Sequence, residues 1–415
     1  MNILIIDSKS GVFDAPCSNG EKTFCRLAND CFLRHIALAK YFSERGDNVL
    51  LIRAEFSDGG GECFEYRDEN GIPELLIKPQ ISKNRRKTNF KALFDFSVLL
   101  YENAPGIAGL FKPDVIIAGS FLPFEGSAAA KMARLSGSVL ITELWCSPRQ
   151  LLNRLRIFLP LCIGEFMLRT SIFALFRRSD RVFGFYPKAA ANFPEKRNLV
   201  PFTSPCPDEA KKCSKAAADL RASLSALADD GIFTLCYCGE IEKGRALESL
   251  IAAVSGFDQK VELFIIGSGE YTAALKKAVR DNGIKNITFC EPVPKADAPF
   301  VLSAAKAVFY SENSFLSGAV SESEDVFRVL LSARPVIAVA DTNAELLRKS
   351  GGAVLVPPGE HSGIALAIAT LRSIPESDRI IMGEHGREFA LLHSEQNYFQ
   401  NYRKLLDELV IQKEN

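Results

Sequence analysis

Between Phe233 and Pro358 the chain alternates short apolar runs with helical patterns without a break. That alternation restricts its fold more than any other feature. Candidate strands are Thr234–Cys238, Glu262–Ile266, Ile287–Cys290, Ala307–Tyr310, Pro335–Val339 and Ala353–Val356. Helical spacing fits Arg245–Val254, Tyr271–Asn282, Ala298–Ala305, Asp325–Leu331 and Ala344–Ser350. Strands that alternate with helices of this length build parallel sheets, because parallel neighbours need a long crossover. Sheets of this kind bind ligands at loops beyond the carboxyl ends of their strands.

The N-terminal half carries the same alternation. Ile3–Ile6, Asn48–Ile52, Asp114–Ala118 and Val139–Thr142 read as strands, with helices at Phe32–Arg45 and Ser127–Leu135. Gly59-Gly60-Gly61 and the polar stretch Ser82–Thr88 read as exposed loops. A chain of 415 residues exceeds one hydrophobic core, so two domains of about 200 residues are expected. The stretch from Pro201 to Asp230 holds Pro201, Pro205 and Pro207, then an amphipathic helix, and reads as the connection. The predicted division is 1–200, a connection over 201–231, a second domain over 232–390, and a tail over 391–415 containing the amphipathic helix Asn397–Gln412.

Composition excludes several classes. Lys+Arg and Asp+Glu both total 50, so no global field recruits nucleic acid. Cys162, Cys236 and Cys290 lie in apolar runs, where free cysteine acts as a small hydrophobe. Cys236 and Cys238 form a C-x-C pair without a second pair or nearby histidine, which argues against zinc. No carboxylate or histidine cluster has metal-ligand spacing, so no metal or resident cofactor is expected. The N-terminus, Met1–Asp7, is a buried-strand pattern without a basic leader, and no apolar run spans a bilayer. A cytoplasmic protein is the expectation.

Two glycine-bearing turns mark the second domain. Gly239-Glu240-Ile241-Glu242-Lys243-Gly244 follows a strand and precedes a helix. Glycines admit a ligand to the backbone, and a helix start offers N–H groups and a positive dipole end. Lys243 and Arg245 are then placed to meet a diphosphate; a plain strand-to-helix turn with a solvated lysine has the same pattern. Gly267-Ser268-Gly269 ends the next strand and reads equally as a chain reversal or a ligand contact. In the first half, Glu143 stands at a strand end as the best carboxylate for an acceptor, or else simply begins a helix. His35, the first half's sole histidine, suits the core edge or solvent. Arg149 to Arg181 interleaves seven arginines with Leu, Ile and Phe. That pattern fits peripheral contact with anionic lipid over 149–181, or a buried helical excursion with a basic outer face.

Tyr237–Gly244, Leu263–Gly269, Ile287–Val293, Ala307–Ser311, Ser332–Ala338 and Glu345–Pro358 together resemble the donor half of the family-4 glycosyltransferases. Pro113–Ala118 and Val139–Pro148, with Glu143-Leu144-Trp145 in place of Asp-Leu-Trp, resemble the family's amino-sugar transferase branch of bacterial surface-polysaccharide synthesis. The resemblance implies a GT-B α/β fold: two Rossmann-like domains facing across a cleft, with the C-terminal helix crossing back to the N-terminal domain. It implies a nucleotide-diphosphate sugar as donor substrate and a glycan or lipid-linked acceptor, joined with retention. It also implies catalytic roles for Lys243, Arg245 and Glu143. Donor contacts are implied at Gly239, Gly267, Gly269, Ser311, Glu312, Arg328 and Glu345.

The chain departs from the family at several positions. Arg328 and Val320 occupy the places of the paired glutamates, and a guanidinium donates hydrogen bonds but accepts none. Glu322, Glu324 or Asp325 would have to substitute, or Arg328 would grip a further anion. Asn29-Asp30 replaces the glycine pair expected after the first strand, with Gly11 farther back. Glu240 replaces an arginine. These changes leave open a degenerate homologue that binds a glycan or a protein without turnover. A sugar epimerase of the same fold is a third option, weakened because the sequence offers no suitable His/Glu constellation.

Overall fold

The computed structural model describes residues 1–7, 34–55, 64–69, 71–78, 85–119, 123–144, 175, 177–184, 199–201, 213–258, 260–312, 320–341 and 343–414. The chain divides into two units, Met1–Thr203 with Phe399–Asn415, and Ser204–Tyr398.

The first unit contains β1 (Asn2–Asp7), α1 (34–43), β2 (Asn48–Ala54), β3 (Phe64–Glu69), β4 (Ile72–Ile77), α2 (Arg85–Phe111), β5 (Val115–Gly119), α3 (Pro123–Ser136), β6 (Val139–Leu144), β7 (Arg181–Gly184) and β8 (Leu199–Pro201). Its sheet runs β3-β4-β2-β1-β5-β6-β7-β8, parallel except for the edge strand β3. Ile3, Leu4, Ile5 and Ile6 are fully buried on both faces of the sheet, as a central parallel strand requires.

Two parts of this unit differ from the sequence expectation. The β3–β4 hairpin closes between Glu69 and Ile72, with Gly71 at φ +76°. The Asn70-Gly71 dipeptide was its signal, but polar β3 hides the strand period. The stretch Ser82–Thr88, read as loop, enters α2 at Arg85. Buried Phe96, Leu100, Ala104 and Ala108 recur every four residues and anchor that helix, so its polar start belongs to helix rather than loop. Gly59–Gly61 lie outside the described residues.

The second unit contains α4 (Lys215–Asp229), β9 (Phe233–Cys238), α5 (Leu247–Ser255), β10 (Val261–Ile266), α6 (Thr272–Asp281), β11 (Ile287–Cys290), α7 (Ala298–Leu302), β12 (Ala307–Ser311), α8 (Val320–Leu330), β13 (Val336–Val339), α9 (Ala344–Ser350), β14 (Ala353–Val356), α10 (His361–Ser373) and α11 (Glu376–Leu392). Its sheet is wholly parallel in the order β11-β10-β9-β12-β13-β14. Alternate residues of β9 feed two cores. Phe233, Leu235 and Tyr237 join Leu250, Leu275 and Ile368 on one face, while Cys236 joins Leu224, Phe327 and Leu330 on the other. That period of two places helices on both faces. Helix α4, in the stretch read as a connection, packs Ala217 and Leu224 into the second core.

The last helix, α12 (Glu395–Glu414), belongs to the first unit from Phe399 onward. Tyr402 is its fully buried anchor, edge-on to Phe183 of β7 with ring centroids 4.9 Å apart. Among the described residues no helix is long and apolar enough to cross a membrane.

Candidate functional site

In the second sheet the strand order reverses between β9 and β12. The carboxyl ends of two neighbouring strands there lead away to opposite faces, which leaves a crevice in which open α/β sheets bind ligands. Gly239 follows β9, and Ser311 and Glu312 end β12, so sequence-predicted residues flank this point.

The turn after β9 is stitched to the turn after β10. Gly239 donates to the Ile266 carbonyl at 3.0 Å, Ile241 to Ser268 at 3.0 Å, and Tyr271 to Ile241 at 3.1 Å. This approach explains two glycines. A Cβ on Gly267 would lie 1.9 Å from the Gly239 oxygen, and one on Gly269 would lie 2.2 Å from the Ile241 oxygen. Gly267 also has φ +145°. Their requirement is chain-to-chain packing, which shapes the turns that bear Gly239 and Lys243.

Arg245 is buried and donates from Nη1 to the Ser311 carbonyl at 3.0 Å. Its guanidinium thus ties the β9 turn to the end of β12 across the reversal point. Lys243 is exposed, with Nζ 5.5 Å from the centroid of the Tyr271 ring. Glu248 holds the Tyr271 hydroxyl by a hydrogen bond, raising that phenol's pKa. Helix α5 starts at Leu247 after Ala246 in the left-handed region, φ 50°, with no side-chain cap. A non-glycine residue there is strained, and such strain collects at ligand sites.

Glu312 is buried, and its carboxylate accepts from Asp341 N at 2.8 Å and Asn343 N at 2.6 Å. It clamps the loop between β13 and α9, where Glu345 lies. Glu345 itself pairs with Lys349 one helical turn on, its side chain 73% exposed. Arg328 pairs with Asp325 on α8. The charges of both reach Cys238 at the end of β9, whose thiol burial pushes up to about 12. Among the candidate substitutes for the missing glutamate, Asp325 is therefore engaged by Arg328.

The first unit holds a second cluster at the carboxyl ends of its strands. Asp7 ends β1, and Glu143 lies near the end of β6, in register with Gly119 of intervening β5. Strands two apart are about 10 Å distant. His35 of α1 fills the interval: Nδ1 is 2.6 Å from Asp7 Oδ2 and Nε2 is 3.1 Å from Glu143 Oε2. Tyr402 of α12 donates its hydroxyl to Glu143 Oε1 at 3.0 Å.

His35 and Glu143 are 1% and 0% exposed, so His35 occupies neither the core edge nor solvent. Burial alone would lower its pKa. Hydrogen bonds that the ring donates to Asp7 and Glu143, and the charges of those carboxylates, more than offset this and raise it to about 9. Burial would raise the Glu143 pKa, but the His35 hydrogen bond, the Arg34 and His35 charges and the Tyr402 hydroxyl lower it overall. The imidazolium–carboxylate state follows. Glu143 occupies the expected strand end, within β6 rather than at a helix start, and both its oxygens are engaged in this network. Nothing in the sequence links Tyr402 to it, 259 positions away; Asp7 and His35 share only their places at a strand end and a helix start.

Asn29-Asp30, Gly11, Trp145 and most of the stretch 149–181 lie outside the described residues. Among the described residues no group of three or more His, Cys, Asp or Glu is placed to hold a metal.

Residues 232–373 match the family model described as "Glycosyl transferases group 1". No curated protein is significantly similar to the chain. Several solved structures are similar along nearly their whole length. HepE of Anabaena in complex with UDP is 15% identical with TM-score 0.64, covering 98% of this chain and 100% of its own. Sucrose-phosphate synthase from Thermosynechococcus elongatus is 16% identical with TM-score 0.60, covering 99% of both chains. WaaG, a glycosyltransferase involved in lipopolysaccharide biosynthesis, is 12% identical with TM-score 0.58, covering 98% of this chain and 99% of its own. The chain thus has the two-domain α/β fold of the GT-B glycosyltransferases, and its residues 232–373 match their group 1 family model.

Proposed function

We propose that the chain is a glycosyltransferase that moves a sugar from a nucleotide diphosphate to a glycan or lipid-linked hydroxyl with retention, in bacterial surface-polysaccharide assembly. The observation that carries this reading is the tied turn at the reversal point of the second sheet. Lys243 is an exposed ammonium there, α5 begins without a side-chain cap, and Arg245 fixes the turn to β12. Positive charge and the start of a helix at that edge suit a diphosphate. Departure of a nucleoside diphosphate builds negative charge on its phosphate oxygens, which cations stabilise. Little acid–base equipment is then needed. Because HepE was solved with UDP, uridine nucleotides are the first to test.

A second reading, a homologue that binds without turnover, draws support from Arg328. A guanidinium, which only donates, stands where the resemblance expects a glutamate, and it is already paired with Asp325. Calorimetric titration with UDP, GDP and UDP-glucose, combined with a sugar-release assay, separates the two. Binding that weakens in Lys243→Ala together with sugar release supports the enzyme. Binding without release supports the second reading, and no nucleotide binding at all refutes the proposal. Arg328→Glu is a direct probe of that position: improved binding marks the arginine as a loss, abolished binding as a ligand contact.

A further inference from the structure

The amino edge of the first unit's sheet, opposite the strand ends that carry Asp7 and Glu143, holds a cavity of about 390 Å³. Tyr101 of α2, Lys131 and Arg134 of α3, Arg178 and Asp180 ahead of β7, and Lys413 of α12 are among its lining residues. Four cations therefore face one carboxylate.

The fold fixes two of the cations. Lys131 donates to the Tyr101 carbonyl at 2.9 Å and lies 4.1 Å from the centroid of that ring. Lys413 donates to the Ser138 carbonyl and to Asp180 Oδ2, the latter at 3.1 Å. The same Asp180 oxygen accepts from the Leu140 backbone at 2.8 Å, so the one lining carboxylate is committed to structure. Arg134 and Arg178 are exposed and have no acidic partner among the described residues. Like charges gathered around a concave surface repel one another and focus positive potential into it. An anion with several oxygens relieves that repulsion. Guanidinium forks suit the tetrahedral oxygens of phosphate, and an ammonium adds a point charge.

We propose that this cavity binds the phosphate group of a phosphate ester. The inference is independent of the nucleotide site, which lies in the other unit. A membrane phospholipid headgroup and a soluble sugar or polyol phosphate share the required chemistry, and two arms of one experiment distinguish them. The full-length chain is titrated with glycerol 3-phosphate by calorimetry. In parallel it is sedimented with vesicles of phosphatidylglycerol in phosphatidylcholine, and with phosphatidylcholine alone. Binding is expected in at least one arm, weakened about tenfold or more in the double variant Arg134→Gln/Arg178→Gln and unchanged in Lys243→Ala. Binding in the calorimetric arm identifies a soluble ester; binding to phosphatidylglycerol vesicles alone identifies the headgroup. Absence of binding in both arms overturns the proposal. So does a double variant that binds like the parent, or a loss of binding in Lys243→Ala. Circular dichroism checks that the double variant is folded, and Lys131→Gln repeats the test with a different cation.

Discussion

His35 is expected to make the first unit's stability fall with rising pH. Its folded pKa is raised from 6.5 to about 9 by Asp7 and Glu143. A raised pKa means that the folded state binds the proton more tightly. The stabilisation is thus complete below about pH 6.5 and is lost as pH climbs through about 9. At about 1.4 kcal/mol per pH unit, the interval corresponds to about 3 kcal/mol. The Glu143 shift reports the same ion pair from its other side and is not an additional contribution. His35→Gln removes the charge and leaves two buried carboxylates without their central cation. Breaking a buried pair in this way costs about 3–5 kcal/mol, and the pH dependence should vanish with it. Urea unfolding followed by fluorescence of Trp145, the chain's one tryptophan and two positions beyond Glu143, provides the assay. Parent and variant are compared between about pH 6 and about pH 9. A parent as stable at the upper end as at the lower, or a His35→Gln cost under about 1 kcal/mol, refutes the imidazolium bridge.

Three further outcomes are expected. Tyr402→Phe deletes the hydroxyl that Glu143 accepts and should cost about 1.5–3 kcal/mol, the range for a hydrogen bond to a charged group; urea titration of the same unit measures it. Gly269→Ala places a methyl 2.2 Å from the Ile241 carbonyl. It should destabilise the second unit by about 3 kcal/mol through forced backbone movement, visible as a lowered calorimetric transition. Lys243→Ala, at an exposed side chain, should leave the melting temperature unchanged while weakening UDP binding about tenfold.

The second unit's architecture is legible in its amino-acid pattern. Alternating apolar and helical periods from Phe233 to Pro358 admit little besides a parallel sheet, and the loops at Gly239 and Gly267 fall at the carboxyl ends of β9 and β10 as that period dictates. The polar edge strand β3 and the start of α2 were less legible, because exposed strands and polar helical turns lack the apolar rhythm that marks buried ones. The roles of the side chains emerge only in the folded chain, whose packing sets their partners. That packing tied Arg245 to Ser311, turned Glu312 onto the β13–α9 loop, and fitted the Gly267 and Gly269 turn against the β9 turn. It also brought Asp7, His35, Glu143 and Tyr402 from four elements into one buried cluster. Periodicity encodes which face of an element is buried; it carries no record of which distant partner arrives there, because that depends on strand order and on where the last helix settles.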